Sequence, residues 1–271
     1  MKTTDTKTPV MYEDIAALMS KETKTLELFP NQIRGCTVYN HAIAAGDTIN
    51  FKPNLGGHHI LILVSGTATF IMEDSQYQFS TRACFVPGID QNLDAKGETD
   101  VQILEIFWEM TEEDAEELKT FPWPVFPKMQ IYRDSMQYHD GAKSWKTINR
   151  IFLEQLNVPR FAMGSVESYG PDAVQQHPHP LIDQFFYSFP ENNMDVLINE
   201  DKVHMDGNVL LHIPVGSNHG VDVPENGRMH YLWIDFYWDR GINKKLAEGH
   251  VKTGLNRSFE KEGYSSDSTI G

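Results

Sequence analysis

An all-β architecture built twice over is what this sequence predicts, and three observations predict it. The chain repeats its own punctuation: Asp47, Ile49, Asn50 and Pro53 recur 125 residues later as Asp172, Val174, Gln175 and Pro178. Its apolar runs are short, often alternating, and bounded by Gly, Pro, Asn and Asp, as in Ala68–Met72, Asp195–Asn199 and His230–Trp238. That is the grammar of strands and turns. Hydrophobic residues make up 40% of 271, enough for a substantial core. The longest apolar runs, Ile60–Val64 and Val209–Ile213, fall far short of the roughly 20 residues a membrane helix needs.

The repeat continues beyond its first match. Phe85-Val86-Pro87 corresponds to His212-Ile213-Pro214, and Glu105-Ile106-Phe107-Trp108-Glu109 to Asp235-Phe236-Tyr237-Trp238-Asp239, so the offset drifts from 125 to 127 to 130. Such drift arises when loops gain residues and strands do not. A duplicated unit of roughly 100 residues follows, and many short strands in that length make a sandwich or a small barrel.

In chain order, Tyr12–Met19 reads as a short amphipathic opener, followed by the first copy. Thr111 with Glu112, Glu113 and Asp114 supplies an N-cap and an acidic first turn, predicting a helix to about Lys119. Phe121–Pro127 carries Pro122, Pro124 and Pro127 and is therefore an extended linker. Lys143–Leu156 puts Trp145, Ile148, Ile151, Phe152 and Leu156 on one face of a helix. The second copy follows, then a helix over Asn243–Val251 and a disordered tail from Glu262.

Lys and Arg number 23 against 38 Asp and Glu, a net charge of −15. An acidic chain repels phosphate backbones and anionic lipid, so neither nucleic acid nor membrane is an expected partner. Cys36 and Cys84 form no CxxC pair, and no apolar stretch follows the polar N-terminus. The expected setting is a cytoplasmic, reducing compartment with both thiols free.

The chemistry concentrates in the second copy: His177-Pro178-His179, then Gln184, then Pro214-Val215-Gly216-Ser217-Asn218-His219. Residues two apart on a strand share a face, so His177 and His179 aim together, and the turn at Pro214–Asn218 returns His219 to an adjacent strand. Three imidazoles and one oxygen ligand suit one divalent transition ion such as Mn, Fe, Co, Ni or Zn. His58 and His59, being adjacent, point to opposite faces and read as structural.

The pattern HxHx4Q followed by PxGxxH resembles the cupin superfamily, and two such units make a bicupin. The resemblance covers about residues 36–110 and 160–240. It implies two tandem cupin-type barrels (double-stranded β-helix or jelly roll) with a few short peripheral helices. The implied division is a barrel over 25–120, a helical linker over 121–158, a metal-binding barrel over 159–245 and a tail over 246–271. Related cupins often pair through strands, so a homodimer is expected. The family's usual glutamate falls on Gln184, with Asp183 the one-residue-shorter alternative. A cupin of pectin-derived sugar breakdown and bicupin isomerases of antibiotic biosynthesis are similar in using three His and one Gln. At the four ligand positions the first copy offers Lys52, Asn54, His59 and Asn92. A charged Lys has no lone pair, so the expected metal lies in the second copy alone.

With His177, His179, His219 and Gln184 as ligands, every protein donor is uncharged and the ion keeps its full charge. That set best serves proton abstraction beside a carbonyl of a small, oxygen-rich substrate, leading to isomerisation, ring opening or elimination. His230, Tyr231 and Asp235 are the candidates for the base, and the pattern leaves them unranked; His204 and His212 also lie on or near strands of this copy. Hydrolytic C–C cleavage or decarboxylation of a dicarbonyl fits the same ligands, as does an Fe(II) dioxygenase. A non-catalytic small-molecule sensor is the remaining alternative.

Overall fold

The structure, a computed structural model, describes residues 2–4, 7, 9–80, 82–120 and 125–259; the expected tail from Glu262 and part of the Phe121–Pro127 linker lie outside them. The chain divides into two compact units. Among the described residues, one comprises Ala17–Asp134; the other joins the N-terminal residues up to Ala16 with 135–259.

The first unit is a sandwich of two antiparallel sheets. One sheet runs in the order Thr48–Phe51, Leu93–Gly97, Thr67–Met72, Ser75–Ser80. The other runs Lys128–Ile131, Ala83–Val86, Gly57–Ser65, Val101–Glu109, Cys36–Ile43, Lys24–Leu28. Alternate residues of both sheets, including Phe51, Leu61, Leu63, Phe70, Phe85 and Ile103, fill the space between them. Phe70 and Phe85 stack with ring centroids 4.7 Å apart. The helix expected after Thr111 spans Glu112–Thr120 and is closed by a capping box. In it Asp114 N donates to Thr111 Oγ1 at 3.1 Å, and Thr111 N donates to Asp114 Oδ2 at 2.8 Å. Neither cysteine is in a disulfide, and burial pushes the Cys84 thiol up, away from reactivity.

In the second unit one long sheet carries, in order, Lys2–Thr3, Met11–Asp14, Val209–Ile213, Ile182–Ser188, Arg228–Tyr237, Phe161–Tyr169, Ile148–Val158, Met136–His139 and Val251–Lys252. A second layer is formed by Asp172–Pro178, Asn218–Val223, Asn193–Ile198 and Asp201–Asp206. It joins the long sheet through Asn193 opposite Arg228. Phe186, Val196, Ile213, Val221, Tyr231 and Trp233 belong to the core of this unit. Both units are thus jelly-roll sandwiches whose sheets stay open, in keeping with the expected double-stranded β-helix or jelly roll.

Two helical expectations fail for a common reason. Lys143–Leu156, read as a helix within a helical linker over 121–158, contains instead the strand Ile148–Val158, paired with Phe161–Tyr169. That strand is buried on both faces, and its register shifts between Ile151 and Leu153 and again before Val158. Two-sided burial plus bulges scatters the apolar residues into a spacing that imitates a helical stripe, while Thr147, Ile148, Ile151 and Phe152 favour extended backbone. Tyr12–Met19 likewise is the strand Met11–Asp14 and a short 3-10 turn, Ala16–Leu18. The strand gains backbone partners along Val209–Ile213 that no local pattern encodes. The last helix spans Arg240–Gly249, three residues earlier than expected, because Asp239 Oδ1 caps it at Ile242 N (3.0 Å).

His58 is buried against Phe126, and neither ring nitrogen has a hydrogen-bond partner among the described residues. Burial lowers its pKa to about 4, with Asp114 opposing. The unfolded chain therefore binds the proton first, so this stability is present above pH 6.5 and is lost as pH falls toward 4. His58→Leu is expected to flatten that acid limb by about 2 kcal/mol, read from urea denaturation at pH 7 and pH 5. An unchanged pH dependence would contradict it.

Candidate metal centre

The strand Asp172–Pro178 lies antiparallel to Asn218–Val223, and the register places His177 directly opposite His219. His179 follows one residue past the strand. Gly216 makes the returning turn with φ +75°, a conformation side chains rarely adopt. Gly220 lets the two strands close: a Cβ there would lie 2.5 Å from the Val174 carbonyl oxygen.

Ring centroids are 4.7 Å apart for His177 and His179, 5.2 Å for His177 and His219, and 5.4 Å for His179 and His219. Their ligand nitrogens all lie within 4.8 Å of one another, close enough for one ion. His177 Nδ1 donates to Gln175 O at 2.7 Å and His219 Nδ1 to Ser217 O at 3.2 Å. A backbone carbonyl on Nδ1 fixes the tautomer and leaves Nε2 with its lone pair free. Burial lowers the pKa of His179 to about 4, helped by the neighbouring His177. Burial likewise lowers His219 to about 3, against the Ser217 contact. Both rings are therefore neutral, as ligands must be.

Gln184, on the strand Ile182–Ser188, lines the same cavity and is 4% exposed. Its Nε2 donates to Asp235 Oδ1 at 2.7 Å. Its Oε1 is buried with no partner among the described residues. A buried, unpaired carbonyl oxygen beside three free imidazole nitrogens is a donor set that fits a divalent transition ion. Asp183 points the other way: its Oδ2 accepts from Trp238 Nε1 at 2.8 Å, and its Oδ1 faces His212 Nε2 at 3.7 Å. Strand parity thus brings Gln184, and not Asp183, to the three histidines.

Alternation along Arg228–Tyr237 sorts the base candidates. Gln184 sits opposite Asp235 in the register, so Tyr231, Trp233, Asp235 and Tyr237 face the cavity. His230 is on the other face, fully buried, with Nδ1 2.6 Å from Glu191 Oε1. It does not line the cavity, unlike Tyr231 and Asp235, the other two base candidates. His212 shares the Asp183 side, and His204 sits on an outer hairpin between Asp195 and Asp206. Burial raises the Asp235 carboxyl to about 7, against hydrogen bonds from Gln184 and Tyr237.

The cavity, about 270 Å³, is completed by residues from outside the repeats: Tyr138, Asp140, Lys143 and His250. Sequence reasoning missed all of them, because no motif marks the segments that carry them. In the first unit, Lys52, Asn54 and Asn92 are exposed. His59 is engaged by Glu105 Oε1 at 2.5 Å and by Lys52 O at 3.2 Å. Among the described residues only His177, His179 and His219 form a metal-sized group.

No protein-family model matches the sequence, and no curated protein matches it. Solved structures do. A cupin 2 conserved barrel domain protein from Leptotrichia buccalis superimposes with TM-score 0.62 at 12% identity, over 85% of this chain and 98% of that one. The chain carries the cupin fold. A structure described as a glyoxylate-induced protein from Pseudomonas aeruginosa superimposes with TM-score 0.68 at 11% identity over 86% of this chain and 91% of its own. Oxalate decarboxylase of Bacillus subtilis matches with TM-score 0.62 at 11% identity over 85% and 77%. Identities this low speak to fold and leave the activity of this chain to its own residues.

Proposed function

We propose that the second unit binds one divalent transition-metal ion through His177, His179, His219 and Gln184. On this reading the protein is an enzyme of isomerase, ring-opening or lyase type acting on a small carbonyl compound. The observation that carries the reading is the convergence of three imidazole nitrogens within 4.8 Å beside an unpaired Gln184 Oε1 in one cavity. A divalent ion held by uncharged donors supplies Lewis acidity toward a carbonyl oxygen.

The chain's own groups do the rest. Asp235 is a carboxyl that faces the cavity, and it takes and returns the proton there. Gln184 Nε2 and Tyr237 OH, at 2.7 and 3.2 Å, hold that carboxyl in place. Tyr231 has its hydroxyl pKa raised by burial and stays a neutral donor along the cavity wall. Phe186, Trp233 and Leu246 exclude water. A cavity of this size admits one compact ligand.

The test combines elemental analysis with an anaerobic screen of keto acids and keto sugars on Mn- or Co-loaded protein. Metal-dependent deuterium exchange at the carbon beside the carbonyl is the expected signal. Turnover that requires oxygen would turn the reading toward a dioxygenase, and release of carbon dioxide toward decarboxylation. Asp235→Asn is expected to lower kcat by about 100- to 10,000-fold at unchanged metal content. Full activity in that variant would remove Asp235 from the proton transfer.

A further inference from the structure

Lys143 is a buried cation in the same cavity. Its side chain is 9% exposed, and lysine is almost never buried unless paired. Nζ donates to Asp140 Oδ2 at 2.7 Å and stands 5.6 Å from the centre of the Tyr138 ring. The loop that presents it is held from both ends. Asp140 Oδ1 accepts from Ala142 N at 2.9 Å, and the Lys143 backbone bridges to Val174, three residues before His177. A loop pinned to the strand that carries His177 sets the ammonium at a fixed place relative to the histidines. The ammonium also acts electrostatically on His179, Tyr231, Asp235 and His250.

The charge balance of the cavity decides what it takes. Lys143 and Asp140 form an ion pair of no net charge, and an imidazole that ligates a metal ion does so as the neutral ring. A divalent ion added to that set leaves the cavity positive, even with Asp235 ionised. An anionic occupant restores the balance, and the ammonium has three N–H donors, of which Asp140 takes one and the Tyr138 hydroxyl another. The protein as a whole carries −15, so its long-range field repels an anion and the cavity itself must hold it.

We propose that Lys143 anchors a carboxylate of the substrate, so that the cavity takes a compact keto acid rather than a neutral ketone or sugar. This rests on the metal reading above, which holds the other end of the molecule.

The test measures calorimetric binding of pyruvate and of its uncharged analogue methyl pyruvate to metal-loaded and chelator-treated protein, for wild type, Lys143→Met and Lys143→Arg. Pyruvate is expected to bind Lys143→Met at least about tenfold more weakly, the loss of one charge-assisted hydrogen bond, with methyl pyruvate unaffected and Lys143→Arg largely restored. Metal content should be equal in all three. An Asp140→Asn/Lys143→Met variant covers the case in which a lone buried carboxylate unfolds the loop, and should show the same loss. Wild-type pyruvate affinity in Lys143→Met, a preference for methyl pyruvate, or loss of metal in that variant would each overturn the proposal. The chelated arm separates the two readings. If the metal assignment fails but the anchor stands, pyruvate binding is metal-independent and still needs Lys143. If the anchor fails, binding follows the metal and ignores Lys143.

Discussion

Replacing His219 with alanine is expected to strip the metal from the protein and abolish activity while the fold survives. Removing a group that merely orients a ligand typically costs about 10- to 100-fold in metal affinity, so losing a ligand itself should cost more than about 100-fold. Little packing is lost, because the ring borders an existing cavity rather than solid core. Thr or Ser would not substitute: the required donor is a neutral nitrogen whose partner nitrogen is already tied to the Ser217 carbonyl. His177→Ala should behave alike. His204→Ala is the control, since that ring lies on an outer hairpin with Asp195 and Asp206 and should leave metal content intact. Elemental analysis and circular dichroism of the purified variants decide it. Near-stoichiometric metal in His219→Ala would remove the imidazole from the ligand set.

The part of this site legible in the sequence is the part written in strand periodicity. His177 and His179 share a face because they are two apart, and Pro214–Asn218 has the length that sets His219 opposite His177. Repeat punctuation likewise announces two β units. What stayed hidden depended on phase or on distance along the chain. Asp183 and Gln184 are adjacent, and only the pairing of Gln184 with Asp235 says which of the two faces inward. Along Arg228–Tyr237 both faces are apolar and buried, so hydrophobicity gave His230 and Asp235 no different label. Lys143, Asp140 and His250 reach the cavity from segments outside the repeats, and their arrival is a tertiary fact. The strand Ile148–Val158 shows the opposite failure, a misleading local signal: burial on both faces produced a helix-like stripe.

Two carboxylates buried near the strand Arg228–Tyr237 are held in contrasting ways. Asp235 on the cavity face meets only neutral hydrogen-bond donors, and burial raises its pKa to about 7. Glu167 on the opposite face is just as deeply buried, but two guanidiniums and His230 hold its pKa below the ordinary glutamate value. Burial therefore favours the protonated form of one group, and the other is held as an anion. The same strand forms a cavity wall on one face and gives structural support on the other.

That support predicts a second large effect. Glu167 is fully buried, accepts from Arg150 Nη1 at 3.0 Å and from Arg228 Nη2 at 2.5 Å, and lies 3.9 Å from His230 Nδ1. Glu167→Ala leaves two buried guanidiniums without their shared carboxylate and is expected to cost about 3–5 kcal/mol. Glu191→Ala should cost less, because Glu191 is partly exposed and Arg228 retains Glu167. The pH dependence has a definite sign. A carboxyl whose pKa is depressed in the folded state contributes stability that is present above its unfolded pKa and is lost as pH falls through the folded one. The gap between wild type and Glu167→Ala should therefore narrow in acid. Urea denaturation at pH 7 and pH 4 measures both numbers, with elemental analysis showing that the folded fraction keeps its metal. A variant as stable as wild type at pH 7 would mean that Arg150 and Arg228 find other partners on folding. The strand that presents Asp235 would then owe its position to packing alone.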